Sequence, residues 1–496
     1  MQEAIKINKY DNVAVALKSL SQGQVIIIED NNITLLEDIP AGHKFALEDI
    51  DQGSEVIKYG YPIGNLSAKV AMGEWVHTHN LVTGLKEVKD YTYDSVETVS
   101  DDITSQKKDF FMGYKRKSGK VGIRNEVWII PTVGCVNDIG RLLAAESKRF
   151  ITDEVDDIIA YAHPYGCSQL GDDHKNTQKI LSGLINHPNG AGVLVLGLGC
   201  ENNHIDELKK CIGDYDEDRV KFLVCQEYDD EIKQGLNLIE ELVMYSSGFK
   251  REQIPVSELV VGLKCGGSDG YSGITANPTV GGFSDLLIKA GGTSILTEVP
   301  EMFGAETILM NRCANSELFD QTVTLINDFK QYFIDHEQPI FENPSPGNIK
   351  GGITTLEEKS LGCTQKSGTA LVNGVLNYGE LIHNKGLQLL NSPGNDLVAS
   401  TALAASGAHI ILFTTGRGTP FGCPVPTIKI SSNSELSNKK KGWIDFDAGK
   451  LLEDISLDRL ALELYELVLD VASGKKVKNE VNGYRDIAIF KQGVTL

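Results

Sequence analysis

The sequence predicts an α/β protein in which a small N-terminal β-rich domain precedes two α/β lobes with largely parallel sheets. Short apolar runs separated by turn residues fill residues 5–80, and a polar, acidic stretch follows them. After that stretch, apolar runs, glycine-rich loops and helical patterns alternate. The 496 residues are enough for two or three domains, since domains commonly contain about 100–200 residues.

The β-rich domain is predicted over residues 1–92. Its apolar runs, such as "NVAVAL", "QVIII" and "EVIKYGYPIG", are short and are bounded by turn-forming residues, as is typical of strands. Residues 93–106 are polar and contain few aliphatic side chains, as expected of an exposed linker. We therefore expect the first domain boundary at this linker.

The two α/β lobes are predicted over residues 107–250 and 251–496. In the first lobe, "EVWII", "DIIAYA", "GVLVLGLGC" and "VKFLVC" each precede a helical pattern. In the second lobe, the strand-like runs are "ELVVGLKC", "TSILTEV" and "HIILFTT". Continuous apolar strands that alternate with helices are typical of a parallel sheet covered on both faces.

Charge and composition exclude several classes of function. The formal net charge of −21 disfavours nucleic acid and anionic membranes as partners, because both are polyanionic. The sequence has no apolar run of about 18 residues and no signal-like N-terminal segment, so we expect a cytoplasmic protein that does not contact a membrane. Nine cysteines without a C-x-x-C pair fit reduced thiols with packing, metal or catalytic roles.

Five predicted strands are followed by a cysteine, at Cys135, Cys167, Cys200, Cys225 and Cys265. Ligands of open α/β sheets bind beyond the carboxyl ends of the strands, so neighbouring strands would bring these thiols together. A single cysteine is more commonly a small buried residue than a ligand. The repeated position at strand ends is what favours a functional role.

Glycine-rich loops after the predicted strands carry most of the other candidate groups. Hydroxyl, carboxylate and amide side chains suit a polyol ligand, and an arginine between glycines suits a carboxylate. The alternative for each residue is an ordinary capping, packing or surface role. The candidates are His163, Gln169, Ser268, Asp269, Asn277, Lys366 and Arg417.

The segment "GEWVHTHN" places His77 and His79 two residues apart near the end of the β-rich domain. Side chains alternate between the two faces of a strand, so on a strand these imidazoles would point the same way and could bind one metal ion. Exposed strand histidines are also common, and two ligands do not complete a metal site.

Several long segments resemble the altronate dehydratase and galactarate dehydratase family. They include "GYKRKSGKVGIRNEVWIIPTVGCVN", "HPYGCSQLGDDH", "CGGSDGYSGITANP", "LTEVPEMFGAE" and "GRGTPFG", and the β-rich domain resembles the SAF, or β-clip, module of that family. The resemblance implies a hydro-lyase that dehydrates D-altronate to 2-dehydro-3-deoxy-D-gluconate in hexuronate catabolism. It also implies a requirement for ferrous iron, with Mn²⁺ as an alternative.

A metal-assisted dehydration requires a metal site, proton-transfer groups and groups that bind the substrate. We expect His77 and His79 to bind the metal as one half of an interdomain site, and His163 and Lys366 to transfer protons. Arg417 is the candidate for the carboxylate; Gln169, Ser268, Asp269 and Asn277 are candidates for the hydroxyls. An iron–sulfur cluster is the other metal hypothesis, and its candidate thiolate ligands are Cys135, Cys167, Cys200, Cys265 and Cys363.

Three other functions stay open at this point. The chain could dehydrate galactarate or another sugar acid, or it could bind a sugar acid without catalysis. A nicotinamide-dependent oxidoreductase is disfavoured because a G-x-G-x-x-G fingerprint is missing. The expected partner is a small sugar acid, and the expected assembly is a homo-oligomer, with a dimer as the favoured state.

Overall fold

The computed structural model describes residues 2–85, 88–96, 109–453 and 455–496. Residues 97–106, most of the predicted linker, lie outside the described residues. Within the described ranges, none of the helices has the length and apolar character needed to span a membrane.

Residues 2–85 contain short antiparallel strands, which confirms the predicted β-rich domain. They form a four-stranded sheet (β1-β2-β5-β8), a three-stranded sheet (β6-β7-β9) and the hairpin β3-β4. One apolar core of this domain includes Ala305 and Leu361 from the C-terminal region, so the domain packs directly on that region. The strands are β1 (Ala4–Ile5), β2 (Val13–Ala16), β3 (Val25–Ile28), β4 (Asn31–Thr34), β5 (Lys44–Ala46), β6 (Glu55–Lys58), β7 (Tyr61–Leu66), β8 (Trp75–Val76) and β9 (Leu81–Val82).

The middle region has a parallel four-stranded sheet in the order β13-β12-β14-β15, as the apolar runs predict. Its strands are β10 (Phe110–Lys115), β11 (Val121–Gly122), β12 (Glu126–Pro131), β13 (Ile158–Ala160), β14 (Gly190–Gly197), β15 (Val220–Val224) and β16 (Glu252–Pro255). Its helices are α1 (Asn137–Glu146), α2 (Gly171–Ile185), α3 (Ile205–Ile212) and α4 (Glu231–Ser246). Strand β16 lies where the lobes were expected to divide and pairs antiparallel with β10.

The C-terminal region has a parallel seven-stranded sheet in the order β19-β20-β18-β17-β21-β22-β23. The strands are β17 (Val260–Cys265), β18 (Thr293–Leu296), β19 (Val372–Leu376), β20 (Gly386–Leu390), β21 (Ile410–Thr415), β22 (Thr427–Ser431) and β23 (Phe446–Asp447). The helices are α5 (Ala276–Lys289), α6 (Glu306–Met310), α7 (Ser316–Asp335), α8 (Pro346–Lys350), α9 (Leu356–Thr364), α10 (Asp396–Ala405), α11 (Ser434–Lys439), α12 (Leu457–Ala472) and α13 (Lys478–Val481).

The central strands are buried along their whole length because helices cover both faces of each parallel sheet. All eight residues of β14 and all six of β17 are buried. One apolar core contains residues of both sheets, including Trp128, Val193, Ile295 and Phe413. The two α/β regions therefore share a core, and their functional groups lie in the loops that follow the strands.

Candidate active site between the N-terminal domain and the seven-stranded sheet

A buried ion triad joins the N-terminal domain to α9. Lys44 Nζ lies 2.8 Å from Glu358 Oε2, and Lys58 Nζ lies 2.7 Å from Glu358 Oε1. Each of the three side chains is 1% exposed. Lys44 also donates to Thr354 Oγ1 at 2.5 Å, so the triad fixes the loop that precedes α9.

The triad leaves an excess of positive charge at this interface. Burial alone would raise the pKa of Glu358, but Lys44 and Lys58 lower it to about 2. Burial lowers the pKa of Lys44 to about 8, whereas Glu358 raises the pKa of Lys58 against the effect of burial. Two ammonium groups around one carboxylate give a local field that favours an anionic substrate despite the acidic character of the whole chain.

His77 and His79 lie in a turn, because strand β8 ends at Val76. The backbone N–H of His77 donates to Asn80 Oδ1 at 2.9 Å, which closes this turn. The strand alternation that was expected to align the two imidazoles is therefore wrong. Both rings nevertheless adjoin Trp75, with each ring centroid 5.3 Å from that of the indole.

A third histidine, His43, completes this cluster, and its ring centroid lies 4.8 Å from that of His77. His43 Nε2 lies 3.3 Å from the Lys350 carbonyl oxygen, and His77 Nδ1 lies 3.0 Å from Thr354 Oγ1. Both contacts join the N-terminal domain to the loop between α8 and α9. The histidines of the β-rich domain therefore face the C-terminal region, as an interdomain site requires.

The histidine cluster offers neutral nitrogen donors. Burial lowers the pKa of His77 to about 4 and also lowers the pKa of His43, so both imidazoles are uncharged near pH 7. His43 Nδ1 is buried and has no hydrogen-bond partner among the described residues. Neutral imidazoles suit divalent iron. Since the nitrogens of His43, His77 and His79 are not all within 4.8 Å of one another in the described structure, a shared ion would need them to converge.

A second group able to hold a metal ion lies at the carboxyl end of β17. Cys265 Sγ is 2.9 Å from Glu301 Oε2 and 3.4 Å from Cys363 Sγ, and Cys363 Sγ is 3.1 Å from the same carboxylate oxygen. All three side chains are buried. The hydrogen bond from Cys363 lowers the pKa of the Cys265 thiol to about 6 and raises the pKa of Cys363 itself. Three such groups stay this close only with protons or a cation between them.

Buried lysines surround this thiol and carboxylate group. Lys359 Nζ lies 2.8 Å from Glu301 Oε1, and Lys366 Nζ lies 3.6 Å from Glu298 Oε2. Lys264 forms ion pairs with Glu298 and, at 3.0 Å, with Asp396. Burial opposes the charge of Lys366, but Cys265, Cys363 and the glutamates hold its pKa well above the ordinary value. Lys366 is therefore a protonated donor, which fits a general acid better than a base.

The loop after β17 supplies Ser268 and Asp269, and the loop after β21 supplies Arg417. Ser268 Oγ is buried and has no partner among the described residues, whereas Asp269 accepts hydrogen bonds from Ser432 at 2.7 Å and Asn433 at 3.0 Å. Arg417 is exposed, and its backbone N–H donates to the Gly267 carbonyl at 3.0 Å. Ser268 and Arg417 thus have side chains available for a ligand.

Close backbone contacts place this loop beside His43. A Cβ atom on Gly270 would lie 2.0 Å from the Gly42 carbonyl oxygen, and one on Gly352 would lie 2.2 Å from the same atom. Only glycine allows such an approach. Asn348 Nδ2 also donates to the Ser268 carbonyl at 2.8 Å. The histidine cluster, Ser268 and the loop before α9 therefore form one contiguous site.

The remaining predicted residues form hydrogen bonds with neighbouring groups of the protein. Asn277 Nδ2 donates to the Gly362 carbonyl at 2.9 Å, and its Oδ1 accepts from Thr414 at 2.8 Å. His163 lies in the middle region, where Nε2 is 2.7 Å from the Pro131 carbonyl and Nδ1 accepts from the Tyr165 N–H at 3.2 Å. Burial lowers the pKa of His163 to about 4. Gln169, in the same loop, accepts from the Gly166 N–H and from Thr177.

Sequence reasoning missed several residues of this site. His43 is a lone histidine in "PAGHKF", and nothing in the sequence connects it to His77. Lys44, Glu301 and Glu358 look like surface charges in the sequence, yet each is at most 5% exposed. The available signal was that Glu301 lies in "LTEVPEMFGAE", one of the segments that resemble the family.

Three family models match consecutive parts of the chain. The altronate/galactarate dehydratase SAF domain matches residues 2–84, and the second domain of D-galactarate dehydratase/altronate hydrolase matches residues 113–247. The C-terminal model of D-galactarate/altronate dehydratase matches residues 256–495. Together these matches cover the three regions that contain separate sheets.

Individual relatives are similar over the full length. An altronate dehydratase of Bacillus subtilis (strain 168) is 52% identical and covers 100% of both sequences. An altronate dehydratase of Escherichia coli (strain K12) is also 52% identical, over 99% of both sequences. A galactarate dehydratase (L-threo-forming) of Escherichia coli (strain K12) is 33% identical and covers 95% of this chain and 93% of its own.

Proposed function

This chain belongs to the altronate/galactarate dehydratase family, and from that premise we propose that it is an enzyme that dehydrates D-altronate. The product is 2-dehydro-3-deoxy-D-gluconate, an intermediate of hexuronate catabolism. The 52% identity to two altronate dehydratases, against 33% to a galactarate dehydratase, favours altronate as the substrate. Galactarate or another sugar acid is the second candidate.

The observation that carries this proposal is the contact of the histidine cluster with the loops of the seven-stranded sheet. His43 and His77 reach the segment 350–354, and Asn348, just before that segment, donates to the Ser268 carbonyl. The site therefore combines neutral imidazoles, a hydroxyl without a partner, an exposed guanidinium and a buried ammonium. A protein that only binds a sugar acid does not require buried titratable groups in such number.

The reaction removes the proton at C2 and the hydroxyl at C3, and the resulting enol becomes the 2-keto acid. Arg417 binds the substrate carboxylate through paired N–H groups, and Ser268 Oγ binds a substrate hydroxyl. Neutral His43, whose Nδ1 is free, accepts the C2 proton. Lys366 donates a proton to the departing C3 hydroxyl, which leaves as water. His163, which together with Lys366 was expected to transfer protons, would first have to give up two backbone hydrogen bonds.

The family and the donor set both favour a divalent metal, and we assign ferrous iron, with Mn²⁺ as the alternative. His77 and His79 would hold this ion, since imidazole nitrogens suit it. When bound, such an ion supplies positive charge that stabilises the enolate form of a carboxylic acid. The Cys265, Glu301 and Cys363 group is the second place where a cation fits.

Turnover and bound iron test this proposal together. The full chain, purified under reducing conditions with ferrous iron, is incubated with altronate, galactarate, mannonate and gluconate, and the 2-keto acid is measured. We expect altronate to give the highest kcat/KM. His77→Ala and His79→Ala should lower kcat, and the iron bound in excess of acid-labile sulfide, by at least about tenfold, whereas His383→Ala, at an exposed histidine, should change neither.

Binding of altronate without any keto acid would contradict the enzymatic assignment and favour a sensor. Full iron content in the His77→Ala and His79→Ala double variant would contradict the ligand assignment alone.

We also propose a cytoplasmic homodimer. All nine cysteines are free thiols, which fits a reducing compartment, and sedimentation equilibrium measures the assembly.

A further inference from the structure

We propose that the carboxyl edge of the four-stranded sheet binds an iron–sulfur cluster through Cys135, Cys167 and Cys200. This site lies in the middle region and is separate from the histidine cluster and from the Cys265, Glu301 and Cys363 group. The inference does not depend on the identity of the substrate.

The three cysteines follow three strands that are adjacent in the sheet, β13, β12 and β14. Pro131 and Leu196 are paired across β12 and β14, and Cys135 and Cys200 each follow four residues after this pair. Adjacent strands lie about 4.8 Å apart. The three loops therefore start within about 10 Å of one another, and all three cysteines are exposed.

Hydrogen bonds tie the three loops together. The Gly134 N–H donates to the Tyr165 carbonyl at 2.9 Å, and Asn203 Nδ2 donates to the Thr132 carbonyl at 3.0 Å. The outer loops also contact each other directly, since the Ser168 N–H donates to Asn202 Oδ1 at 2.9 Å. The thiols are thus carried by loops in a fixed mutual arrangement, as a preformed ligand set requires.

Two further observations point to an anionic ligand group here. Each cysteine precedes the N-terminus of a helix by a few residues, and α1, α2 and α3 begin at Asn137, Gly171 and Ile205. Helix N-termini stabilise thiolates and the negative charge of a cluster. Gln169 Nε2, a hydrogen-bond donor in the same loop as Cys167, is buried without a partner among the described residues and is available to donate to an anionic group.

The three thiols, as they lie, are too far apart for all of them to bind a single ion. Three sulfur ligands on one zinc ion lie about 3.8 Å apart, given Zn–S bonds of about 2.3 Å. Within the described ranges, the three thiols do not all lie within 4.8 Å of one another. In a [4Fe–4S] cluster each thiolate binds a different iron, which places the ligands further apart.

Ferrous and ferric iron in equal amounts combine with inorganic sulfide, three thiols lose their protons to solvent, and three Fe–S bonds to the protein form. No net oxidation or reduction is needed, because both iron states are supplied. The fourth iron has no protein thiolate and is open to an oxygen ligand.

The test is anaerobic reconstitution of the full chain with ferrous and ferric iron and sulfide, followed by assay of iron and acid-labile sulfide and by electron paramagnetic resonance after reduction. We expect acid-labile sulfide, bound iron in at least an equal amount because the histidine site holds iron without sulfide, and a cluster signal. Cys135→Ser, Cys167→Ser and Cys200→Ser should each lose at least about four fifths of both the acid-labile sulfide and the cluster signal. Cys211→Ser is the matched control, since Cys211 is exposed on α3 outside the three loops.

A parallel measurement keeps the result decisive if a variant folds poorly. In the unsubstituted chain, iodoacetamide should label Cys135, Cys167 and Cys200 before reconstitution and spare them afterwards. Absence of acid-labile sulfide, unchanged labelling, or a cluster retained in the triple variant would overturn the proposal. Loss of the cluster only in Cys265→Ser or Cys363→Ser would also overturn it. Absence of altronate turnover would refute the proposed function but leave this result intact.

Discussion

Replacing Glu358 with glutamine tests whether the buried ion triad fastens the N-terminal domain to α9. The amide keeps the shape of the side chain but leaves Lys44 and Lys58 buried without a counter-ion. Glu358 accepts at 2.8 Å from Lys44, at 2.7 Å from Lys58 and at 2.8 Å from the Thr354 N–H. Removal of one partner from a buried ion pair costs about 3–5 kcal/mol, because an uncompensated charge remains.

The lowered pKa of Glu358 leads to a similar magnitude. The ordinary value is 4.5, and the two lysines lower it to about 2 in the folded protein. A difference of this size corresponds to about 3 kcal/mol, at about 1.4 kcal/mol per pH unit. Since the folded pKa is the lower one, this stability is present above pH 4.5 and is lost as the pH falls towards 2. Lys44, with a pKa lowered to about 8, is protonated throughout that range and does not contribute to the change.

Urea unfolding at pH 7 and at several acidic pH values measures the effect. We expect Glu358→Gln to lower the free energy of unfolding by about 3–5 kcal/mol at pH 7, with a smaller difference from the unsubstituted protein at each lower pH. Glu466→Gln, at an exposed position on α12, is the control and should change stability by less than about 0.5 kcal/mol. A loss below about 1 kcal/mol for Glu358→Gln, or a difference independent of pH, would refute the reasoning.

Three further substitutions probe the site. Arg417→Lys should raise KM for altronate about tenfold, because lysine cannot form two parallel hydrogen bonds to a carboxylate; Arg459→Lys on α12 is the control, and an unchanged KM would contradict the assignment. Gly352→Ala should lower the unfolding midpoint, since φ is +102° and the new Cβ would lie 2.2 Å from a carbonyl of the N-terminal domain; Gly442→Ala meets nothing within 4 Å and should be neutral, and equal midpoints would argue against this close contact. His43→Ala should lower kcat at least about a hundredfold with little loss of bound iron; a loss of iron with retained turnover would show that His43 is a ligand instead.

The strands of the α/β regions were predictable because a strand buried on both faces must be apolar throughout. The apolar runs "GVLVLG" and "IILFTT" lie in β14 and β21, in which every residue is buried. The turn at His77 was not predictable from the alternation of side chains along a strand. It depends on the hydrogen bond that the His77 backbone N–H donates to the Asn80 side chain. The contact of Cys265 with Cys363 joins residues 98 apart in the chain, and no local pattern encodes such a distance. Sequence therefore located the strand-end loops, whereas the pairing of loops with the N-terminal domain required the tertiary structure.

The burial of the Gly42 carbonyl against Gly270 and Gly352 bears on how solute enters and leaves the site. To lift the N-terminal domain away would admit water to Lys44, Lys58 and Glu358 and separate that glycine contact at the same time. Each turnover would then have to expel this water again, so movement of the N-terminal domain is an unfavourable way to admit substrate. The exposed side of the loop that carries Arg417 offers the substrate a route that disturbs neither the ion triad nor the glycine contact. We expect substrate to enter and product to leave along that route, while the N-terminal domain stays in place against the site.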